Sequence, residues 1–244
     1  MKKRTKRIII ISSSIGGVLV AVAAAFFIYV GIYQHATNDA LTYLNDSTLS
    51  KVEDKNDYVT FQPKDGKSSK GFIFYPGGKV EYKAYAPLLR DLSDQGISSI
   101  LVKMPFNLAV FNMNGADGKQ PLMPDITNWY IGGHSLGGAM ACSYLANHSK
   151  EYNGVVLLAA YSTVDLTSSN LKTLSLLASN DKVINKDKYD LNKKNLPQLE
   201  EHTIEGGIHS YFGDYGIQGG DGTPTITVAE QRKEVVSLIT SFIE

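Results

Sequence analysis

Apolar residues in this chain form short runs of strand length that alternate with segments of helical periodicity. Residues 71–75 are almost wholly apolar and stop at the turn-forming Pro76-Gly77-Gly78, which predicts a buried strand. Residues 85–95 place three leucines on one helical face and end before Gly96, a residue type that often follows a helix. Residues 97–102 then predict the next buried strand.

The alternation continues to the C-terminus. Further β-rich runs are residues 128–131, 155–160, 171–179 and 201–204, and helical patterns are residues 136–147, 186–194 and 228–243. Residues 58–61 are predicted as an edge strand and residues 107–113 as a short helix. This order predicts the α/β class, with a mostly parallel sheet flanked by helices. Ligands bind at the carboxyl ends of the strands in such sheets.

The N-terminal segment has a different pattern. Residues 1–7 carry five Lys and Arg, and residues 8–33 contain no charged side chain. About 20 apolar residues span the hydrocarbon core of a bilayer, so residues 8–33 are predicted as one transmembrane helix. Basic residues favour the cytoplasmic side. We therefore expect a single-pass protein of the cell membrane, with residues 1–7 in the cytoplasm and the body outside the cell.

A cleavable signal peptide is the alternative to a retained anchor. Ala21-Val22-Ala23 and Ala23-Ala24-Ala25 both resemble cleavage sites, but the apolar run continues through residues 26–30 and is longer than a signal-peptide core. The pattern therefore favours an anchor. Behind it, residues 34–57 are polar and are predicted as a stalk, which leaves residues 58–244 as the folded domain.

Charge and composition narrow the possible partners. The formal net charge is zero, but five of the 24 Lys and Arg precede residue 8; the remaining 19 face 24 Asp and Glu, a net charge near −5. An acidic body without a basic stripe argues against nucleic acid as a partner. Cys142 is the single cysteine and lies in an apolar run, so it is predicted to be buried and unpaired. The sequence has no pattern of metal ligands, phosphate loop or dinucleotide fingerprint, so we expect neither a metal nor a cofactor.

The clearest chemical signal is Gly133-His134-Ser135-Leu136-Gly137, which has the G-x-S-x-G spacing of a nucleophile elbow. Such a serine lies on a sharp strand-to-helix turn, and glycines on either side let strand and helix approach without Cβ clashes. A strand pattern precedes the motif here and a small, apolar helix pattern follows it. Ser135 is therefore the predicted nucleophile. The alternative is a glycine-rich turn that only packs a helix on a strand.

A serine hydroxyl needs a base to become a strong nucleophile. His209 is the preferred base because it lies in Gly206-Gly207-Ile208-His209-Ser210, a predicted loop after the last strand. His202 falls inside that strand, His134 flanks the serine on the elbow, and His148 lies near a helix end. These three positions suit a base less well.

The acid that orients the base is expected on a loop after a neighbouring strand. Asp181 in Ser179-Asn180-Asp181-Lys182 follows the strand pattern of residues 171–179 and is the preferred acid. Asp165, after the strand of residues 155–160, is the alternative.

Acyl transfer also needs hydrogen-bond donors for the developing oxyanion. The backbone N–H of Leu136 follows the nucleophile and is the first expected donor. The second is the N–H of Gly78 in Pro76-Gly77-Gly78-Lys79. A simple tight turn is the alternative interpretation of that segment.

Together, the elbow, the Tyr75-Pro76-Gly77-Gly78 loop, the Ser-Asn-Asp-Lys loop and the Gly-Gly-Ile-His-Ser loop resemble the α/β-hydrolase superfamily. More closely, they resemble its small, dienelactone-hydrolase-like branch of bacterial members. The resemblance covers about residues 58–244. It implies hydrolysis of a small ester or related acyl substrate without metal or cofactor. Larger lipases insert a cap after the elbow helix, whereas only residues 161–170 separate two strand patterns here, so no cap is expected there.

Two other functions fit the same residues. A peptidase or acyltransferase would use the same triad, and a binding module could keep the fold without the chemistry. The site is expected to be either open or covered by residues 104–124, and residues 211–224 are either a pocket rim or a plain surface loop. The combined presence of a nucleophile, base, acid and oxyanion loop favours the esterase-like hydrolase.

Overall fold

A computed structural model describes the backbone of residues 2–243 and the side chains of residues 17–243. Within that part of the chain, eight strands form one sheet. The strands are β1 Ser50–Asp54, β2 Tyr58–Pro63, β3 Lys70–Tyr75, β4 Ser98–Val102, β5 Asn128–His134, β6 Gly154–Leu158, β7 Lys172–Ala178 and β8 Leu199–Ile204.

Six α-helices accompany these strands in the described residues. They are α1 Lys2–Gly31, α2 Asn38–Thr42, α3 Ala86–Asp94, α4 Leu136–His148, α5 Lys186–Asn192 and α6 Val228–Ile243. Short 3₁₀ turns lie at Tyr82–Tyr85, Pro105–Asn107, Ala109–Phe111, Gln120–Leu122, Ser149–Glu151, Lys193–Asn195 and His209–Phe212.

The strand order β1-β2-β4-β3-β5-β6-β7-β8 confirms the predicted α/β class with a mostly parallel sheet. β1 pairs antiparallel with β2, and β2 pairs antiparallel with β4, whereas every pairing from β4 to β8 is parallel. The chain passes from β3 outward to β4 and then back to β5 on the other side of β3. Successive connections that run in opposite directions leave a crevice at the carboxyl ends of the strands.

The central strands are apolar because both of their faces are covered. In β3, Phe72 and Phe74 point into one core cluster, which also contains residues of α3 and α6. Ile73 and Tyr75 point into a second cluster, which contains residues of α4. Side chains alternate between the faces of a strand, so one unbroken apolar run supplies both cores. Full burial of a side chain of this size contributes about 1.5–3 kcal/mol.

The chain divides into two compact units, residues 1–33 and residues 34–244. α1 belongs to the first unit and is 30 residues long. The predicted cytoplasmic end, residues 1–7, and the first part of the predicted anchor, residues 8–16, lie outside the residues whose side chains are described. In the described part of the chain, no helix combines the length and the hydropathy that a membrane span requires.

The structure corrects the predicted stalk of residues 34–57, because this segment is part of the second unit. Gln34 N donates to Lys79 O at 2.8 Å, and Thr37 Oγ1 donates to Asp214 Oδ1 at 2.8 Å. Ala40 of α2 is fully buried. The segment has a linker-like composition because β1 is an edge strand in which Ser50 alone is buried, so a polar sequence suffices to form it.

Two local predictions also change. Residues 58–61 were expected at the edge of the sheet, but β2 lies between β1 and β4, since β1 takes the edge position. Residues 107–113 were expected as a short helix, but the structure has only 3₁₀ turns there. Phe106 and Asn107 adopt positive φ angles of 55° and 56°, which interrupt a regular helix.

Because residues 34–57 are part of the second compact unit, their removal should destabilise the fold. A fragment of residues 34–244 should unfold cooperatively, whereas a fragment of residues 58–244 should be less stable. The shorter fragment loses β1 together with the hydrogen bonds of Thr37 and Ser50. At roughly 1 kcal/mol per hydrogen bond, and with the lost packing added, its free energy of unfolding should be lower by about 3 kcal/mol or more. Its melting temperature should fall by about 6–12 °C in a circular dichroism melt. Equal melting temperatures would show that the segment behaves as a stalk.

Candidate active site

Ser135 occupies a sharp turn between β5 and α4. Its backbone has φ 51° and ψ −120°, a conformation that side-chain-bearing residues rarely adopt. Its N–H donates to Leu158 O of the neighbouring β6 at 2.9 Å, which holds the turn against the sheet. A Cβ at Gly133 or Gly137 would come within 2.5 or 2.2 Å of the Tyr75 carbonyl oxygen. The two glycines of the motif are therefore required by close backbone packing, as the sequence predicted.

The predicted base and acid lie in contact. Asp181 follows β7, and His209 begins the 3₁₀ turn after β8, so both are on loops at the carboxyl ends of paired strands. His209 Nδ1 lies 2.8 Å from Asp181 Oδ2, and the two side chains are only 3% and 1% exposed. The other carboxylate oxygen of Asp181 accepts from Val183 N at 2.7 Å and Ile184 N at 2.9 Å. These bonds fix the carboxylate so that it accepts a hydrogen bond from Nδ1–H, which leaves Nε2 available to act as a base.

His209 lies next to the elbow, against the ring of His134. His134 precedes Ser135, and its ring centroid is 4.5 Å from that of His209. Among the described residues, no hydrogen bond involves the Ser135 hydroxyl. Catalytic hydrogen bonds are often long in free enzymes and shorten when substrate binds.

The other candidate residues have different partners. His202 Nε2 pairs with Glu200 at 2.7 Å on the half-exposed strand β8, and His148 Nδ1 pairs with Glu151 at 2.8 Å. The alternative acid, Asp165, accepts from Thr167 N at 2.9 Å and has no histidine partner in the described chain. Among these candidates, His209 and Asp181 are the histidine and aspartate that contact each other in the described residues.

The loop after β3 lies against the start of α4. A Cβ at Gly78 would come within 2.8 Å of Leu136 Cδ2, so the two expected oxyanion donors are on neighbouring residues. Gly77 N–H donates to Tyr85 Oη at 3.0 Å, and Lys79 N–H donates to Asn107 O at 2.7 Å. Within residues 2–243, the N–H groups of Gly78 and Leu136 have no acceptor, as expected for donors that serve a ligand.

Asp221 forms hydrogen bonds with the turn that carries His209, a contact that the sequence did not predict. It accepts from Ser210 N at 2.7 Å and from Gly222 N at 2.8 Å, and the His209 N–H points to it at 3.4 Å. Burial acts to raise the pKa of Asp221, but the hydrogen bonds from Ser210 and from backbone N–H groups lower it overall. Residues 211–224, expected as a pocket rim or a plain surface loop, thus fold back onto the turn that carries His209. The one sequence signal for this contact is the position of Asp221 among glycines, in Gly219-Gly220-Asp221-Gly222.

The segment after β4 borders the oxyanion loop through the bond from Lys79 N to Asn107 O. The rings of Phe106 and Phe111 meet edge to face with centroids 5.7 Å apart, and both are about half exposed. Residues 104–124, the segment considered as a cover for the site, thus place apolar side chains beside it. In the described chain, no helix lies between β6 and β7, where the sequence leaves no room for a cap.

His134 is buried at 1% exposure, and Tyr85 is fully buried beside it. Tyr85 Oη lies 2.8 Å from His134 Nδ1, whereas His134 Nε2 has no hydrogen-bond partner in the described residues. Burial lowers the pKa of His134 well below 6.5, and the charge that His209 can carry lowers it further. His134 is therefore neutral near pH 7. The sequence placed it on the elbow without showing this contact network.

A neutral buried histidine predicts a pH dependence of stability. The pKa of His134 is lowered in the folded state, so the unfolded chain binds more protons below about pH 6.5. Its contribution is fully present above that pH and is lost as the pH falls, by up to about 1.4 kcal/mol per unit. The unfolding free energy of His134→Phe should therefore decline less between pH 7 and pH 5 than that of the wild type, as urea titrations would measure. Parallel declines would contradict the assignment.

Known proteins resemble this chain in sequence family and in fold. Residues 71–233 match the Alpha/beta hydrolase family. Among curated proteins, none matches the sequence with significance. The hyperthermophilic esterase of the archaeon Pyrobaculum calidifontis is similar in structure, with a TM-score of 0.61 at 15% identity over 84% of this chain and 88% of that chain.

Two further solved structures are similar. The Francisella virulence factor BioJ has a TM-score of 0.60 at 16% identity, covering 84% of this chain and 89% of that chain. Est1E of Butyrivibrio proteoclasticus, bound to ferulic acid, has a TM-score of 0.58 at 12% identity, covering 80% and 97%. At such identities the likeness shows a shared fold. Because the family match spans more than half of the sequence and includes the elbow, this chain belongs to the α/β-hydrolase family.

Proposed function

We propose that this protein is a serine hydrolase that cleaves carboxylic esters, with Ser135 as nucleophile, His209 as base and Asp181 as acid. The buried 2.8 Å contact between His209 and Asp181, next to the strained elbow, carries this proposal. A buried hydrogen bond adds only modestly to net stability, so the place of this one beside a strained serine supports a chemical role.

In the proposed reaction, Asp181 accepts a hydrogen bond from His209 Nδ1–H, and Nε2 takes the proton of Ser135 Oγ. Oγ attacks the ester carbonyl carbon, and the N–H groups of Gly78 and Leu136 stabilise the negative oxygen that forms. Collapse of this intermediate breaks the ester bond, and His209 passes its proton to the departing alcohol. Water then attacks the acyl-enzyme by the same route, which releases the carboxylic acid and regenerates Ser135.

The proposed substrate is a small acyl ester. The structurally similar proteins include an esterase and a protein with ferulic acid bound, and the site has apolar side chains of residues 104–124 beside it. Peptidase and acyltransferase activities would use the same residues. They are distinguished by product analysis, which detects free acid with an ester substrate, a cut peptide, or transfer to an added alcohol.

A fluorophosphonate probe tests the activated serine. Labelling of residues 34–244, located by mass spectrometry, should fall on Ser135 and disappear in Ser135→Ala. In His209→Ala it should be strongly reduced, because the hydroxyl has lost its base. A folded wild-type domain that takes no label would support instead an inactive α/β-hydrolase-fold binding module.

The acid assignment has a matched control within the chain. Asp181→Asn should lower kcat on p-nitrophenyl acetate by roughly 10³–10⁴-fold, since His209 loses the partner that sets its tautomer. Asp165→Asn should leave kcat unchanged, because among the described residues Asp165 bonds only to Thr167, on the surface. Thermal melts of both variants check the fold. A large loss with Asp165→Asn and none with Asp181→Asn would reverse the assignment.

We also propose that α1 anchors the protein in the cell membrane, with the N-terminus in the cytoplasm and the catalytic unit outside. The uncharged residues 8–33 and the basic residues before them support this orientation. The full chain should sediment with membranes and resist alkaline carbonate, and protease added to intact cells should digest the catalytic unit. A shortened chain in the medium, cut near residue 23 or 25, would show a secreted enzyme instead.

A further inference from the structure

A chain of hydrogen bonds under the elbow joins the oxyanion loop to His134. Gly77 N–H lies 3.0 Å from Tyr85 Oη, and Tyr85 Oη lies 2.8 Å from His134 Nδ1. A Cβ at Gly77 would come within 2.7 Å of both the Tyr85 hydroxyl and His134 Nδ1, so the loop lies directly on this pair. All of these groups are removed from solvent.

The direction of the hydrogen bonds follows from the chemistry of the donors. A peptide N–H can only donate, so Tyr85 Oη accepts from Gly77 and has one proton left to give. Besides Gly77, His134 Nδ1 is the one hydrogen-bond partner of Tyr85 Oη in the described residues, so the buried hydroxyl is satisfied when it donates to an unprotonated Nδ1. His134 is thus the neutral tautomer with its proton on Nε2. Its role differs from that of a base, because the nitrogen that could accept a proton is already occupied.

The same imidazole also contacts the proposed base. The rings of His134 and His209 are 4.5 Å apart at their centroids with a tilt of 48°, and Phe212 lies against His134 at 5.8 Å. Rotation of the His209 ring is limited on that side by a residue that is itself held through Nδ1. One buried side chain therefore contacts both parts of the reaction site, the base directly and the oxyanion loop through Tyr85.

We propose that His134 and Tyr85 form a positioning pair. The pair holds the Gly77-Gly78 peptide and the His209 ring in the relative positions that attack by Ser135 requires. This inference rests on the proposed serine-hydrolase function. Neither residue touches the reacting atoms. Their effect comes from geometry, because small displacements of an oxyanion donor or a base reduce the rate strongly.

The alternative is that the pair only fills the core. That role predicts a loss of stability without a specific loss of rate. The positioning role predicts a lower rate of attack with unchanged substrate affinity, and it predicts that the two residues act through one hydrogen bond. Variants that remove single groups separate the two.

The experiment measures the rate of fluorophosphonate labelling at Ser135, and kcat and KM on p-nitrophenyl acetate, in the full chain. Tyr85→Phe removes one oxygen and should slow labelling and kcat by about tenfold while KM stays unchanged. His134→Phe should lose at least as much, and the double variant should lose no more than His134→Phe alone. His134→Asn, whose amide oxygen can still accept from Tyr85, should retain more activity than His134→Phe.

The matched control is Tyr144→Phe. Tyr144 is another buried tyrosine, further along α4, and its hydroxyl donates to Asp117 Oδ1 at 2.9 Å. The labelling rate of this variant should equal that of the wild type even if its melting temperature falls. A Tyr85→Phe variant that labels as fast as Tyr144→Phe, or losses that multiply in the double variant, would overturn the positioning role. Absence of label on wild-type Ser135 would instead contradict the hydrolase proposal itself.

Discussion

The close approach of β3, β5 and α4 at the elbow is the constraint on which the rest of the site depends. The Tyr75 carbonyl lies so near Gly133 and Gly137 that no side chain fits at either position. This packing forces Ser135 into its positive-φ turn and brings the loop after β3 against the first residue of α4. Strain at one residue is tolerated because two apolar cores hold the strand and helix around it.

The proposed base and acid depend on the sheet in a different way. β7 and β8 are paired in parallel, so the loops that follow them leave the same edge at neighbouring positions. Asp181 is fixed by two backbone N–H groups and His209 by the carboxylate, by the His134 ring and by the loop that Asp221 closes. A side chain held from several directions loses little freedom when substrate binds, which is the condition for a fast reaction.

Sequence reasoning succeeded where local chemistry and tertiary structure agree. The unbroken apolar run of β3 predicts a strand covered on both faces, and the glycines around Ser135 predict a tight elbow. It failed for β1, whose polar residues resemble a linker because an edge strand needs only one buried position. It also missed Asp221 and the contact of Tyr85 with His134, since Ser210 and Asp221 are 11 positions apart in the sequence and Tyr85 and His134 are 49 positions apart.

The sequence by itself determined the α/β class, the elbow at Ser135 and the residues preferred as base and acid, because each follows from short-range pattern: strand-length apolar runs, glycine spacing and loops after strands. Only the tertiary structure decided that Asp181, and not Asp165, contacts His209, and that residues 34–57 belong to the folded unit. Which loops meet depends on strand order, and strand order is set by long-range packing of the whole sheet rather than by any local pattern.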